Sequence, residues 1–177
     1  MKVGIILGSV RDGRAGEAVA KWVHEQAQGR DATYELIDLK TFDVPMLTSG
    51  THPMMAKKKY DDERVQAWSD AIDACDAYIF VTPEYNHGVP GTLKNAVDSL
   101  GQEWVGKAVS LVGYGSVGGV RSIENWRLVL ANFSMRITRA EINLITFFDW
   151  SEGLFEPLER RGQELSDLFD ALEEIAG

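Results

Sequence analysis

A second cysteine is missing from this chain. With Cys75 alone among 177 residues, no intrachain disulfide can form, and such usage fits a reducing compartment. Cys75 falls on the apolar side of a helical pattern, where an inert core thiol is the simpler reading than a reactive one. Long apolar runs are missing too. No stretch approaches the roughly 18 apolar residues of a membrane span, and the opening run Val3-Gly4-Ile5-Ile6-Leu7 is too short for a secretory signal core. Positive charge is scarce: 18 Lys and Arg stand against 27 Asp and Glu, a formal −9. That balance argues against nucleic acid and against an anionic membrane surface as partners. The three histidines, His24, His52 and His87, show no metal-ligand spacing with one another or with Cys75, so no metal site is expected. Two phosphate motifs are absent as well. There is no G-x-x-x-x-G-K-[ST], and G-x-G-x-x-G fails because Val10 stands where the second glycine belongs. Asp38, at the end of a strand-like run, could still serve a dinucleotide as ribose acceptor, which keeps that reading open. The expectation from these absences is a soluble, cytoplasmic protein.

What the sequence does contain is an alternation of short apolar runs and helical patterns. The runs lie at about 3–8, 33–39, 77–81, 108–112 and within 135–146. The first reads as a strand buried on both faces; the last alternates with polar residues, as an edge strand does. Helical spacing follows from about Ala15 (Ala18, Val19, Trp22, Val23) to Gln28-Gly29, and again at Val65, Trp68, Ile72 and Cys75. A third helix begins near Gly91, a fourth carries Ile123, Trp126, Leu130 and Phe133, and a last one covers about 158–176. Five β-α units in one chain of this length predict a single α/β domain over residues 1–177. The expected architecture is a flavodoxin-like three-layer sandwich, with a five-stranded parallel sheet in order 2-1-3-4-5 and a ligand at the switch point between strands one and three. The connection from Lys40 to about Asp62 is longer than usual for such a fold. Its Lys57-Lys58-Lys59 could meet an anionic ligand, although a solvated charge run is the simpler reading.

Three glycine-bearing loops each follow an apolar run and lead into a helix: Gly8-Ser9-Val10-Arg11-Asp12-Gly13-Arg14, Pro83-Glu84-Tyr85-Asn86-His87-Gly88 and Tyr114-Gly115-Ser116-Val117-Gly118-Gly119. In a parallel sheet such loops gather at the carboxyl edge of the strands. The first is built for a phosphate: Ser9, Arg11 and Arg14 supply donors, Ala15 and Gly16 open the helix, and Gly8, Gly13 and Gly16 permit a close backbone approach. The second, fixed by its prolines and glycines, offers backbone groups and the amide of Asn86 to the polar edge of a flat ring, with Tyr85 and His87 alongside. For His87, packing or capping is the simpler role. The third loop lets the backbone at Gly115, Ser116 and Gly118 lie against a ring or its side chain. Together the three suggest flavin mononucleotide, FMN.

These stretches, with Leu93-Lys94-Asn95-Ala96-Val97-Asp98 and Arg121, resemble the NADPH-dependent FMN reductase family, whose relatives include quinone, azo-dye and chromate reductases. The P-E-Y-N-x-x-x-P-x-x-L-K-N stretch is the specific part. The resemblance implies non-covalent FMN, NADPH or NADH as co-substrate, a small-molecule electron acceptor, and a homodimer or homotetramer. It carries phosphate binding to Ser9, Arg11 and Arg14, the border of the isoalloxazine to Pro83, Glu84, Tyr85 and Asn86, and the third flavin loop to Gly115 and Ser116. Many members place serine where this chain has Gly88, so only backbone is expected to act there. No catalytic side chain is required, since the cofactor carries the chemistry. The rival from another class is a flavodoxin, an electron carrier with no turnover of its own.

Overall fold

The structure, a computed structural model, describes residues 1–177. Five long strands, β1 (Lys2–Leu7), β2 (Thr33–Asp38), β3 (Ala77–Pro83), β4 (Ala108–Gly115) and β5 (Arg136–Ile145), form one sheet. Every neighbouring pair is parallel, and the order is β2-β1-β3-β4-β5, as the alternation predicts. The helices are α1 (Gly16–Gln26), α2 (Leu39–Phe42), α3 (Glu63–Asp73), α4 (Gly91–Asp98), α5 (Val120–Ala131), α6 (Thr146–Asp149) and α7 (Arg160–Ala176).

The central strands read as unbroken apolar runs because helices cover both of their faces. Val3, Ile5 and Leu7 of β1 point into one core with Val19 and Val23 of α1 and Leu165, Leu168 and Leu172 of α7. Ile6 of β1 and Phe80 of β3 point the other way, onto Trp68 and Ile72 of α3, Leu93 and Val97 of α4, and Ile123 and Trp126 of α5. Trp104, in the turn between α4 and β4, plugs this second core. It is fully buried, its ring packs edge-on to Tyr78 and Phe80 at 5.1 and 5.9 Å, and its indole N–H donates to Val97 O. Cys75 is buried in the same core, and its thiol meets Ala71 O. No helix is long and apolar enough to cross a membrane.

Three features depart from the sequence expectation. The first helix stops at Gln26 and the last starts at Arg160, each about two residues inside its periodic pattern. Residues 146–155 are not plain loop: α6 is followed by a small hairpin, β6 (Trp150–Ser151) with β7 (Leu154–Phe155). Glu152 and Gly153 make its two-residue turn at φ 50 and 83°, the left-handed pair that a tight hairpin needs. The Trp150 and Phe155 rings lie tilted at 55° with centroids 4.7 Å apart, and Phe155 meets Trp22 edge-on at 5.7 Å. The long connection, finally, is a strap fastened to the helices behind it. The side-chain amide of Asn95 donates to Pro45 O, and its oxygen accepts from Leu47 N. Tyr60 donates to Glu103, a fully buried carboxylate that also takes Ser69 Oγ and Gly101 N. Three donors replace the water such a group would otherwise need. Lys58 pairs with Asp73, which makes it part of the fastening. A cleft of about 720 Å³ opens within the strap, and none of the three glycine-bearing loops lines it.

Candidate functional site

Because β1, β3 and β4 are neighbours, the three loops meet at one edge. The first begins with Gly8, whose N–H prolongs the ladder to Val81 O; a Cβ there would stand 2.5 Å from Leu93 Cδ2. Ser9 follows, nearly buried, and its hydroxyl lies 2.9 Å from Tyr85 Oη, so one hydrogen bond joins the first and second loops. The two arginines part company. Arg14 turns inward: its guanidinium donates to Ser9 O at 2.7 Å and, as a fork, to both carboxylate oxygens of Asp38 at 2.8 and 2.5 Å. The hydrogen bond with Asp38 raises the Arg14 pKa further above its ordinary value. Asp38 also accepts from Lys40 N as the cap of α2. A carboxylate engaged in this way is not free to hold a ribose, so the dinucleotide reading loses its acceptor. Arg11, by contrast, is exposed, has no carboxylate partner, and stands 6.0 Å from the centroid of the Tyr85 ring.

A cavity of about 180 Å³ sits at the start of α1. Ser9, Arg11, Gly13, Arg14 and Ala15 line it from the first loop, Pro83 and Tyr85 from the second, and Tyr114 from the end of β4. Sequence reasoning places Tyr114 at the opening of the third loop and assigns it no binding role; in the structure it stands near the end of β4, and it lines this cavity. The signal for it was a phenol hydroxyl where an apolar run passes into a glycine-bearing loop. Burial pushes the hydroxyl's pKa up, so it remains a donor. Gly16 makes room for it: a Cβ at that position would lie 2.3 Å from Tyr114 Oη. The packing of Tyr114 therefore requires the glycine at the first residue of α1.

The second loop bends differently from the expectation that prolines and glycines shape it. Tyr85 and Gly88 exchange both backbone hydrogen bonds at 3.1 Å, and the two residues between them, Asn86 and His87, have φ of 49 and 73°. That is a type I′ turn built without glycine. Asn tolerates the left-handed region; His there costs on the order of 1–2 kcal/mol. Both side chains are exposed at the tip. Glu84 does not face outward with them. Its carboxylate accepts from Arg121 N at 3.0 Å and from Arg121 Nη1 at 2.7 Å. It thus caps α5, whose own cap position is Gly119 and has no side chain. Beneath it, Thr82 Oγ1 meets Ser122 Oγ and takes the Trp126 indole N–H.

The third loop closes with Gly118 N donating to Gly115 O, and Ser116 and Val117 project into solvent. Gly119 has φ 70°, and a Cβ on it would stand 2.7 Å from Tyr114 N. The loop folds back onto its own strand, and only glycine fits there. Glu84 and Tyr85 therefore fasten all three loops together, one through Arg121 and the other through Ser9.

A parallel α/β sheet in this strand order, with a donor-rich cavity at a helix N-terminus beside the point where the order reverses between β1 and β3, defines a protein of the flavodoxin-like fold class. The sequence pattern of the NADPH-dependent FMN reductase family matches residues 1–149, and this chain belongs to that family. A fungal relative, the NAD(P)H-dependent FMN reductase ntnL of Nectria sp, is 42% identical over 126 residues, which are 68% of this chain and 63% of that protein. The quinone reductase of Pseudomonas putida is 34% identical over 124 residues, 66% of this chain and 62% of its own length. The chain thus spans just under two thirds of these two relatives. Among solved structures, the flavoenzyme FerB of Paracoccus denitrificans, an NAD(P)H:(acceptor) oxidoreductase, superposes with a TM-score of 0.75. It shares 22% identity and covers 98% of this chain and 96% of its own, a likeness of fold.

Proposed function

We propose that this chain is an FMN-dependent NAD(P)H oxidoreductase that passes electrons to a small acceptor: a quinone, an azo compound, a metal oxyanion or free flavin. The observation that carries the reading is the chemistry of the 180 Å³ cavity. Its lining holds three hydroxyls, Ser9, Tyr85 and Tyr114, and an arginine without an acid partner, and no Asp or Glu. A lining of hydroxyl and guanidinium donors with no carboxylate, at the positive end of a helix, fits a phosphate dianion. Ser9, Arg11 and the amides of Ala15 and Gly16 would hold the phosphate of FMN. Arg14, already forked onto Asp38, is given the task of holding Ser9 and the loop in place. The turn Pro83 to His87 and the stretch Gly115, Ser116 and Gly118 would border the isoalloxazine, with Asn86 at its polar edge.

When bound, FMN supplies two-electron transfer between a nicotinamide and an acceptor. The protein's part is to bind and orient. Backbone amides of the second and third loops that make no internal hydrogen bond, in turns fixed by Glu84 and by the hydrogen bond between Tyr85 and Ser9, would offer preorganised donors to the ring of the bound flavin. No side chain is assigned acid–base or nucleophilic work. Purified protein reconstituted with FMN is expected to oxidise NADPH or NADH over many turnovers when menadione is added, followed by loss of the reduced nicotinamide's near-ultraviolet absorbance. A protein that stays yellow but gives no turnover would instead be a carrier of the flavodoxin type. The family also leads us to infer a homodimer or homotetramer. Phe147, Phe148 and Leu154, 81, 63 and 67% exposed, give the end of β5 an apolar surface suited to self-association. Sedimentation velocity is expected to show a species larger than 19.7 kDa.

A further inference from the structure

The strand beside the third loop is braced in part by α7, which lies beyond the matched residues 1–149. Gly118, at φ 76°, lies flat against Asn143 of β5: a Cβ on Gly118 would be 2.8 Å from Asn143 Cβ, and the Asn143 amide reaches Gly118 O at 3.4 Å. Asn143 and Ile145 are the β5 residues in register with Gly113 and Gly115, the positions at which β4 becomes the loop. β5 is the outermost strand, so no further strand holds its free edge.

An ion pair holds that edge instead. Arg161, the second residue of α7, donates through Nη2 to Asn143 O at 2.7 Å. Its Nε and Nη2 also grip the two oxygens of Asp149, each at 3.1 Å, and Nη1 meets Glu164 at 2.6 Å. Asp149 is fully buried and takes the amide of Ile145 at 2.8 Å and that of Leu158 at 3.2 Å. Both β5 residues in question are thus held by one buried carboxylate–guanidinium unit, in which Arg161 makes four hydrogen bonds and Asp149 accepts four. A guanidinium is suited to this, since its rigid fork can serve Asp149 and the strand carbonyl together, whereas an ammonium on a flexible stem cannot.

We propose that Arg161, paired with Asp149, is a positioning residue for the flavin ring: it locks the end of β5, and through Asn143 sets where Gly118 and the third loop stand. The proposal rests on the reading of that loop as a border of the isoalloxazine. It separates the loop's support from the phosphate's, because Arg161 touches neither the first loop nor the 180 Å³ cavity.

The test is a comparison of FMN with riboflavin, which has the ring but no phosphate. Arg161→Lys protein is titrated with each, by quenching of flavin fluorescence, beside the wild type and Arg11→Ala. Arg161→Lys is expected to weaken both flavins alike, by about 10-fold, the size of one lost hydrogen bond to the positioned loop, and to alter the visible spectrum of the bound ring. Arg11→Ala is expected to weaken FMN and leave riboflavin unchanged. If Arg161→Lys does not fold, Asn143→Ala, which spares the ion pair, replaces it with the same expectation of equal losses. A variant that binds both flavins as the wild type does, with only its thermal midpoint lowered, overturns the positioning role and leaves a structural one. Wild-type protein that binds neither flavin overturns the functional reading and the positioning role together.

Discussion

Arg11→Ala is expected to weaken FMN binding by roughly 10- to 100-fold, with the fold intact. Arg11 is the one cation lining the cavity at the start of α1 that has no carboxylate partner. A hydrogen bond to a charged group contributes about 1.5–3 kcal/mol, which converts to that range of affinity. The side chain is exposed and packs on the Tyr85 ring only at 6.0 Å, so its removal leaves no cavity in the core and no buried partner unsatisfied. Added salt is expected to narrow the gap between wild type and variant, because an exposed charge is screened. Arg14→Ala makes the useful contrast. It strips Asp38 of its forked partner and Ser9 O of a donor, so it should lower the thermal midpoint as well as the affinity. Equilibrium dialysis against FMN, beside thermal unfolding of the flavin-free proteins, reads both. Unchanged FMN affinity in Arg11→Ala would mean that the phosphate lies elsewhere.

Trp104→Ala is expected to cost about 3–5 kcal/mol of stability, the usual range for a buried tryptophan cut to a methyl. The ring is fully buried among Trp68, Tyr78 and Phe80, and two of these neighbours are held by edge-on contacts of their own, Trp68 with Phe42 and Phe80 with Trp126. Truncation also leaves Val97 O without the indole donor, at the last turn of α4. For a chain of this length, a loss of that size lowers the midpoint of thermal unfolding by roughly 10 °C. Chemical denaturation gives the free energy directly, and a loss below about 1 kcal/mol would show that the core repacks around the gap. FMN affinity measured well below the midpoint should stay near that of the wild type, since Trp104 lies in a turn that enters none of the three loops. The two variants divide the molecule's properties: one loses ligand without stability, the other stability without ligand.

The strands and their order were legible because period and apolarity are local quantities. Val3 to Leu7 and Ala77 to Val81 have no polar position, which only a strand covered on both faces can afford. The loops were legible for a related reason, since a strand followed by glycines and a helix start must turn at the carboxyl edge. Less was legible where structure depends on partners. The strap and the 146–158 excursion carry little periodicity; they are held by single side chains, Asn95, Glu103 and Asp149, that reach across from other elements. The second loop was misjudged in detail: its proline and glycine content pointed to a glycine-shaped bend, whereas Asn86 and His87 take the left-handed positions.

From the sequence alone came the layered α/β architecture, the strand order and the three segments that meet at its edge, for these follow from side-chain periodicity and from where chain direction must reverse. Only the tertiary structure distinguished Arg11 from Arg14, found Tyr114 beside Gly16, and turned Glu84 toward Arg121. Each of those outcomes is a competition for a partner. Asp38, 24 residues further along the chain, takes one arginine and leaves the other free; no local pattern encodes that result, because a charge is committed by whichever opposite charge folding brings within hydrogen-bond reach.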